Sequence, residues 1–157
     1  MVWDNILDAD VDPDSPLTTT LLTQIRDNLV ALQNQPFSWP IGLDSQTPGA
    51  ADTYERHTIS PSYEMDQHVP QFGKKLVAAL QMRTISGTAT AEMRINGEAE
   101  ISDEVVFTNT AFERKEFTFA DLSAHRDAIL SFEIWIKHSG PALITVQGEG
   151  PTSRWES

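Results

Sequence analysis

Two different periods run along this chain. Between Leu17 and Gln33, Leu22, Ile25, Leu29 and Leu32 recur at steps of three, four and three, with Leu21 flanking them. Gln24, Arg26, Asp27 and Gln33 fall elsewhere, so the segment predicts an amphipathic helix with one apolar stripe. From about Asp52 the period changes to two. Lys75 to Ile85 places Leu76, Ala78, Leu80 and Met82 on one face. Thr88 to Ile95 places Ala89, Ala91, Met93 and Ile95 inward, with Thr90, Glu92 and Arg94 outward. Asn96-Gly97 is a two-residue hairpin signal returning through Glu98 to Ile101. Tyr54 to Ile59, Val105 to Thr108, Phe112 to Phe119, Ile129 to Lys137 and Ala142 to Gln147 bring the expected count to about eight strands. Strands at this spacing, with no interleaved helices, predict a mainly β fold: an antiparallel two-sheet β-sandwich behind one N-terminal helix.

The punctuation suggests three parts: an N-terminal segment over residues 1–40, a linker over 41–53 and a sandwich over 54–157. Ser15 before Pro16 reads as an N-cap followed by proline at the first helical position, and the aspartates upstream suit the positive end of the helix dipole. Pro36 ends the helix. Pro36 to Ala51 is rich in Pro, Gly and small polar residues, with Phe37 and Trp39 pinning it to one side. A lone helix of this length is marginal in water. Each leucine contributes roughly 1.5–3 kcal/mol on burial, so the stripe needs a surface. Its own sandwich, sister subunits and a larger assembly all remain open.

Composition narrows the partners. Eleven Lys and Arg against twenty-three Asp and Glu give a formal charge of −12, which repels nucleic acid and anionic membrane surfaces. The chain has no cysteine, which excludes disulfides, thiol catalysis and Cys-based zinc sites. No apolar run approaches the ~20 residues that span a bilayer. The opening Met-Val-Trp-Asp-Asn-Ile-Leu-Asp lacks the pattern of a signal peptide, so synthesis in the cytosol is expected.

Motifs for chemistry are sparse. Asp8, Asp10, Asp12 and Asp14 alternate as in a calcium loop, but Pro13 stands where the loop needs glycine and Thr19 where it needs a bidentate glutamate. The helix start accounts for them more simply. His57, His68, His125 and His138 lack metal-ligand spacing and read as exposed loop residues. Glu98/Glu100 and Asp103/Glu104 read as a solvated strand edge that resists unwanted pairing. No nucleophile elbow, phosphate loop or dinucleotide fingerprint appears, so neither an enzyme nor a cofactor or metal is expected. One outward aromatic is set apart: in Leu130 to Lys137, Trp135 alternates with Glu133 and Lys137 rather than with Phe132, Ile134 and Ile136. Such a tryptophan suits a protein interface, intramolecular cover by the linker or helix, or stacking on a sugar. Trp155 is a candidate C-terminal clamp.

Two resemblances give these readings a direction. Trp3, Ile6, Asp10-Val-Asp-Pro-Asp-Ser-Pro-Leu-Thr-Thr, Leu22 and Ile25-Arg-Asp-Asn together resemble the opening of tailed-bacteriophage virion proteins, over roughly residues 1–34. The resemblance implies a structural virion component: a short fibre, head spike or decoration protein. Trp3, Leu21, Leu22, Ile25, Leu29, Leu32, Phe37 and Trp39 would serve attachment. Other virion proteins of capsid, tail or baseplate would be its partners, and a homo-oligomer its working form, most simply a trimer. Residues 74–147, with Phe112 to Leu122 followed by Ile129 to Lys137, are similar to carbohydrate-binding-module-like jelly rolls. That likeness implies the alternative of a module for a host surface glycan, with Trp135, Glu133 and Lys137 as its site.

Overall fold

The computed structural model describes residues 18–49, 52–57, 65–71, 73–95, 100–140, 143–150 and 152–156. Helix α1 runs Thr19–Gln33. Its cap is Thr18, whose Oγ1 accepts the Leu21 amide at 3.1 Å. The helix therefore starts later than the Ser15-Pro16 reading placed it, and those two residues lie outside the described set. A threonine in the extended region does the same work as the expected serine, satisfying one of the orphan amides of the first turn.

Eleven strands follow among the described residues: β1 (Asp44–Gln46), β2 (Glu55–Arg56), β3 (Met65–His68), β4 (Lys75–Thr84), β5 (Ala89–Ile95), β6 (Glu100–Ile101), β7 (Val105–Phe107), β8 (Glu113–Phe119), β9 (Ile129–His138), β10 (Ile144–Gly148) and β11 (Arg154–Glu156). Every pairing is antiparallel. The first sheet has the order β1-β10-β4-β11, with β8 also on β4; the second has β2-β9-β5-β6, with β3 on β9 and β7 on β5. Five of these strands are only two or three residues long. Beyond the return through β6, no period in the sequence is long enough to announce β1, β3 or β11.

The two sheets face each other across one core. Leu76, Ala78, Leu80 and Met82 from β4 meet Ala89, Ala91, Met93 and Ile95 from β5 and Phe132, Ile134 and Ile136 from β9, all buried. These are the inward positions that alternation predicts. Chains of edge-to-face rings tie the layers: Phe119 of the first sheet lies 5.4 Å from Phe132 of the second, and Trp39 lies 5.5 Å from Phe132. Such pairs prefer this geometry because ring edges are positive and faces negative.

The stretch read as a linker is part of this body. Trp39 is 2% exposed and Ile41 is buried beside it. Phe37 exchanges both backbone hydrogen bonds with Ser153. Gly148 donates its amide to Ile41 O at 2.9 Å, and a Cβ there would come within 3.0 Å of that carbonyl oxygen and collide with Trp39 O. Glycine at 148 thus lets the incoming segment lie against β10. The sandwich begins at Phe37, not Tyr54, because aromatic burial and this close backbone approach outweigh the turn-like composition. Trp155 is buried on β11, which closes β4 opposite Leu76.

Candidate functional site

The outer face of the second sheet concentrates the chain's less ordinary chemistry. Register places Glu92 opposite Trp135 and Arg94 opposite Glu133, while Arg56 pairs with Trp135 from the other side. The Arg94 guanidinium lies 4.0 Å from the Trp135 ring centroid and 5.5 Å from that of Tyr54. Its Nε donates to Glu92 Oε1 at 2.6 Å, with both side chains almost wholly buried. Trp135 Nε1 donates to Glu133 Oε2 at 3.0 Å, and Arg56 Nη1 reaches Glu133 Oε1 at 2.8 Å. Lys137 Nζ sits 4.4 Å from the Tyr54 ring and 3.2 Å from Glu104 Oε1.

Tyr54 closes the group by donating its hydroxyl to the same Glu104 oxygen at 2.6 Å. Desolvation, then the Glu104 hydrogen bond and the charges of Glu92 and Glu104, push its phenol well above the ordinary tyrosine range. Glu104 is held below the usual carboxylate range by the hydrogen bonds from Tyr54 and Lys137. The Tyr54 phenol stays protonated and the Glu104 carboxylate stays charged across neutral pH, so this contact does not switch.

Trp135 is half-buried, and Arg94 and Glu133, which engage its ring and its indole N–H, stand on its own sheet. One ring face and the indole N–H are already committed, and the charges beside it are matched within the sheet. Alternation placed Glu92 and Arg94 outward, as found, but it gave them to solvent. The stacked indole and phenol remove them from it instead. Nothing in the sequence singles out Tyr54, Arg56, Glu92 or Arg94 as site residues, and Glu104 reads there only as part of a solvated strand edge. Same-face spacing of Glu92 with Arg94 was the one available signal, and the cross-strand register that joins them to Trp135 and Tyr54 was not.

The second candidate surface is the helix. Leu22, Ile25, Leu29 and Leu32 are 53, 37, 47 and 49% exposed, while Leu21 is buried. Gln24, Asn28 and Ala31 are half-buried. The apolar stripe is thus the open side of α1. Of the other residues expected to serve attachment, Trp3 lies outside the described set. Trp39 is in the core and offers no apolar surface to a partner. Phe37 is half-buried and packs on the same core.

The histidines depart from the expectation of exposed loops. His68 is exposed but lies on β3, and His125 is half-buried on a 3-10 turn, 3.6 Å from Glu100. His138 is buried at the end of β9, where its ring bonds Ser86 O at 2.8 Å and the Gly140 backbone. His57 is 3% exposed, and among the described residues neither ring nitrogen has a hydrogen-bond partner. Burial pushes it below its usual value, against smaller opposing effects of Asp44 and the Ile144 backbone. His57 and His138 sit against residues distant in sequence, Ile134 for the His57 amide and Ser86 for the His138 ring, which no local pattern encodes.

Among the described residues, no cluster of three or more His, Asp or Glu is placed to hold a metal ion. The Asp8 to Asp14 run lies outside those residues. No described helix is long and apolar enough to cross a membrane. Comparison with protein-family models, curated proteins and solved structures found no match to this chain.

Proposed function

We propose that this chain is a structural component of a tailed-phage virion, a short fibre, head spike or decoration protein. Its N-terminal segment mounts it on the particle, and its sandwich, jelly-roll-like in the finer reading, projects outward. One observation supports the mounting role: the stripe Leu22, Ile25, Leu29 and Leu32 stands exposed on α1. Exposed apolar residues in one contiguous row mark an interaction surface. The phage direction comes from the resemblance of the opening residues. Partners on this reading are other virion proteins of capsid, tail or baseplate.

The test is incorporation. Deleting residues 1–34 is expected to leave a folded, soluble sandwich, since Phe37 onward supplies the core, and to abolish joining to particles. Normal incorporation of the truncated chain overturns the proposal. The glycan-binding alternative rests on Trp135, Glu133 and Lys137. It is the weaker reading, because the indole N–H, one ring face and the neighbouring charges are already satisfied within the sheet.

A further inference from the structure

The outer face of the first sheet carries a cation that the fold leaves uncompensated. Carboxylates outnumber Lys and Arg by twenty-three to eleven in this chain. Arg26, Arg56, Arg94, Arg114 and Arg154 each sit in an ion pair, and the charge of Arg126 acts on Asp121. Arg83 has no carboxylate partner among the described residues, and its Nε is buried with no acceptor. A cation cut off in part from water, with no counter-charge, is an unfavourable arrangement that an incoming anion relieves.

The surroundings of Arg83 are built from three other strands and a loop. Alternation on β4 turns Leu80 and Met82 into the core and Gln81 and Arg83 outward. The guanidinium lies 4.6 Å from the ring centroid of Phe112, just before β8, and this stack orients its plane. Register sets Thr145 of β10 opposite Arg83 and Ser45 of β1 opposite Thr145. Side chains directly opposite on one face are neighbours, so Phe112, Arg83, Thr145 and Ser45 form a row across the sheet. Thr145 is fully buried, and its hydroxyl lies 3.0 Å from that of Ser45. One hydroxyl donates to the other, which leaves the second hydrogen for an outside acceptor. Arg83 and Phe112 are half-buried and Ser45 is exposed, so solvent reaches the row. Glu149, farther along this face, accepts from Gln81 Nε2 at 3.2 Å and lies 3.1 Å from Arg114 Nε, and so is engaged away from Arg83.

We infer that this row is a binding site for a carboxylate-bearing small molecule. The two Nη atoms of Arg83 hold the carboxylate oxygens, and the Ser45–Thr145 hydroxyl pair donates to one of them. A guanidinium presents paired donors in one plane, which match the two oxygens of a carboxylate. The single charge of the ligand matters as well. A phosphate brings up to two charges into the field of a chain at −12, which opposes it about twice as strongly. The site lies on the outer face of the sheet that does not carry Trp135, and it does not rest on the mounting role.

Nuclear magnetic resonance of the full-length, nitrogen-labelled protein tests this. Burial of Arg83 Nε slows exchange of its hydrogen, so its N–H resonance reports directly on the guanidinium. Acetate, a free acid, and glucuronate, a sugar acid, are titrated at ionic strength matched with chloride, with glucose and inorganic phosphate as controls. The expected result is a saturable shift of the Arg83 resonance and of the Ser45 and Thr145 amides, with Kd in the millimolar range. Arg83→Gln is expected to abolish the amide shifts, and Arg83→Lys, which keeps the charge and loses the paired donors, to weaken binding about tenfold. Glucuronate binding about tenfold tighter than acetate assigns a sugar acid as the ligand, and equal affinities assign the carboxylate group alone. No saturable shift of the wild-type Arg83 resonance overturns the inference, whatever the variants do. So do amide shifts that persist in Arg83→Gln, or phosphate binding tighter than either carboxylate.

Discussion

Replacing Arg94 with Met puts the buried cluster on the second sheet under a quantitative test. The Arg94 and Glu92 side chains keep only 10% and 7% of their exposure, and their salt bridge is 2.6 Å long. Removing the guanidinium leaves the Glu92 carboxylate buried beside Trp135 without its partner on the strand. Breaking a buried ion pair from one side costs about 3–5 kcal/mol. Loss of the stack on Trp135, 4.0 Å from the guanidinium carbon, accounts for about 0.5–2 kcal/mol of that. Methionine fills similar space, so cavity formation adds little. The double variant Arg94→Met with Glu92→Leu removes both charges, and replacement of a whole buried pair by apolar residues is often neutral or better. The expected pattern is a single variant destabilised by roughly 3 kcal/mol or more and a double variant recovering most of that loss. Equilibrium urea unfolding followed by tryptophan fluorescence reads both, since the indole of Trp135 reports on the same site. Two results refute the reasoning: a single variant within about 1 kcal/mol of the parent, which is the range of a surface pair, or a double variant as unstable as the single.

Two further outcomes follow from the core and its edges. His57 is held below its usual value of 6.5 by burial, so the unfolded chain takes up a proton there that the folded chain refuses. Its contribution to stability is complete above about pH 6.5 and is lost as pH falls from there toward the depressed folded value. His57→Phe should flatten that part of the curve in denaturant titrations at several pH values, and an unchanged slope refutes the assignment. Gly148→Ala drives a Cβ against the Trp39 and Ile41 backbone. A loss of about 1–3 kcal/mol is expected, as for other overpacked sites, read by calorimetry. An unchanged melting temperature counts against the docking of residues 39–41 as a structural element.

Much of this architecture is written locally. The inward sets on β4, β5 and β9 follow from alternation alone, because side chains on a pleated strand point to opposite faces. The helix and its stripe follow from the 3.6-residue period, and Thr18 only moves the expected cap by a few residues. What alternation cannot give is distance between strands far apart in sequence. β5 and β9 are separated by more than thirty residues with other strands between, so nothing local sets Glu92 opposite Trp135 or brings Tyr54 to Glu104. Burial of Arg94 is a consequence of that register, and so is the conversion of Trp135 from a platform into the cover of an ion pair.

The same division explains the departures at the chain's entry. Trp39, Ile41 and β1 sit in a stretch whose prolines and glycines resemble those of a linker. Those residues fix where the backbone turns but not what it turns onto. Trp39 joins the core because Phe132 and Gly148 leave a place for its ring and backbone, and both belong to distant strands. His57 is buried by its position at the meeting of the two sheets, and a histidine's own sequence neighbours carry no record of that. The helix shows the converse. Its leucine row was legible from the sequence, and the tertiary structure decided that the row stands exposed. The sequence by itself determined which faces are apolar, since that depends on residues two, three or four apart. Which of those faces are closed within one chain was decided only by folding, since closure depends on contacts between residues tens of positions apart.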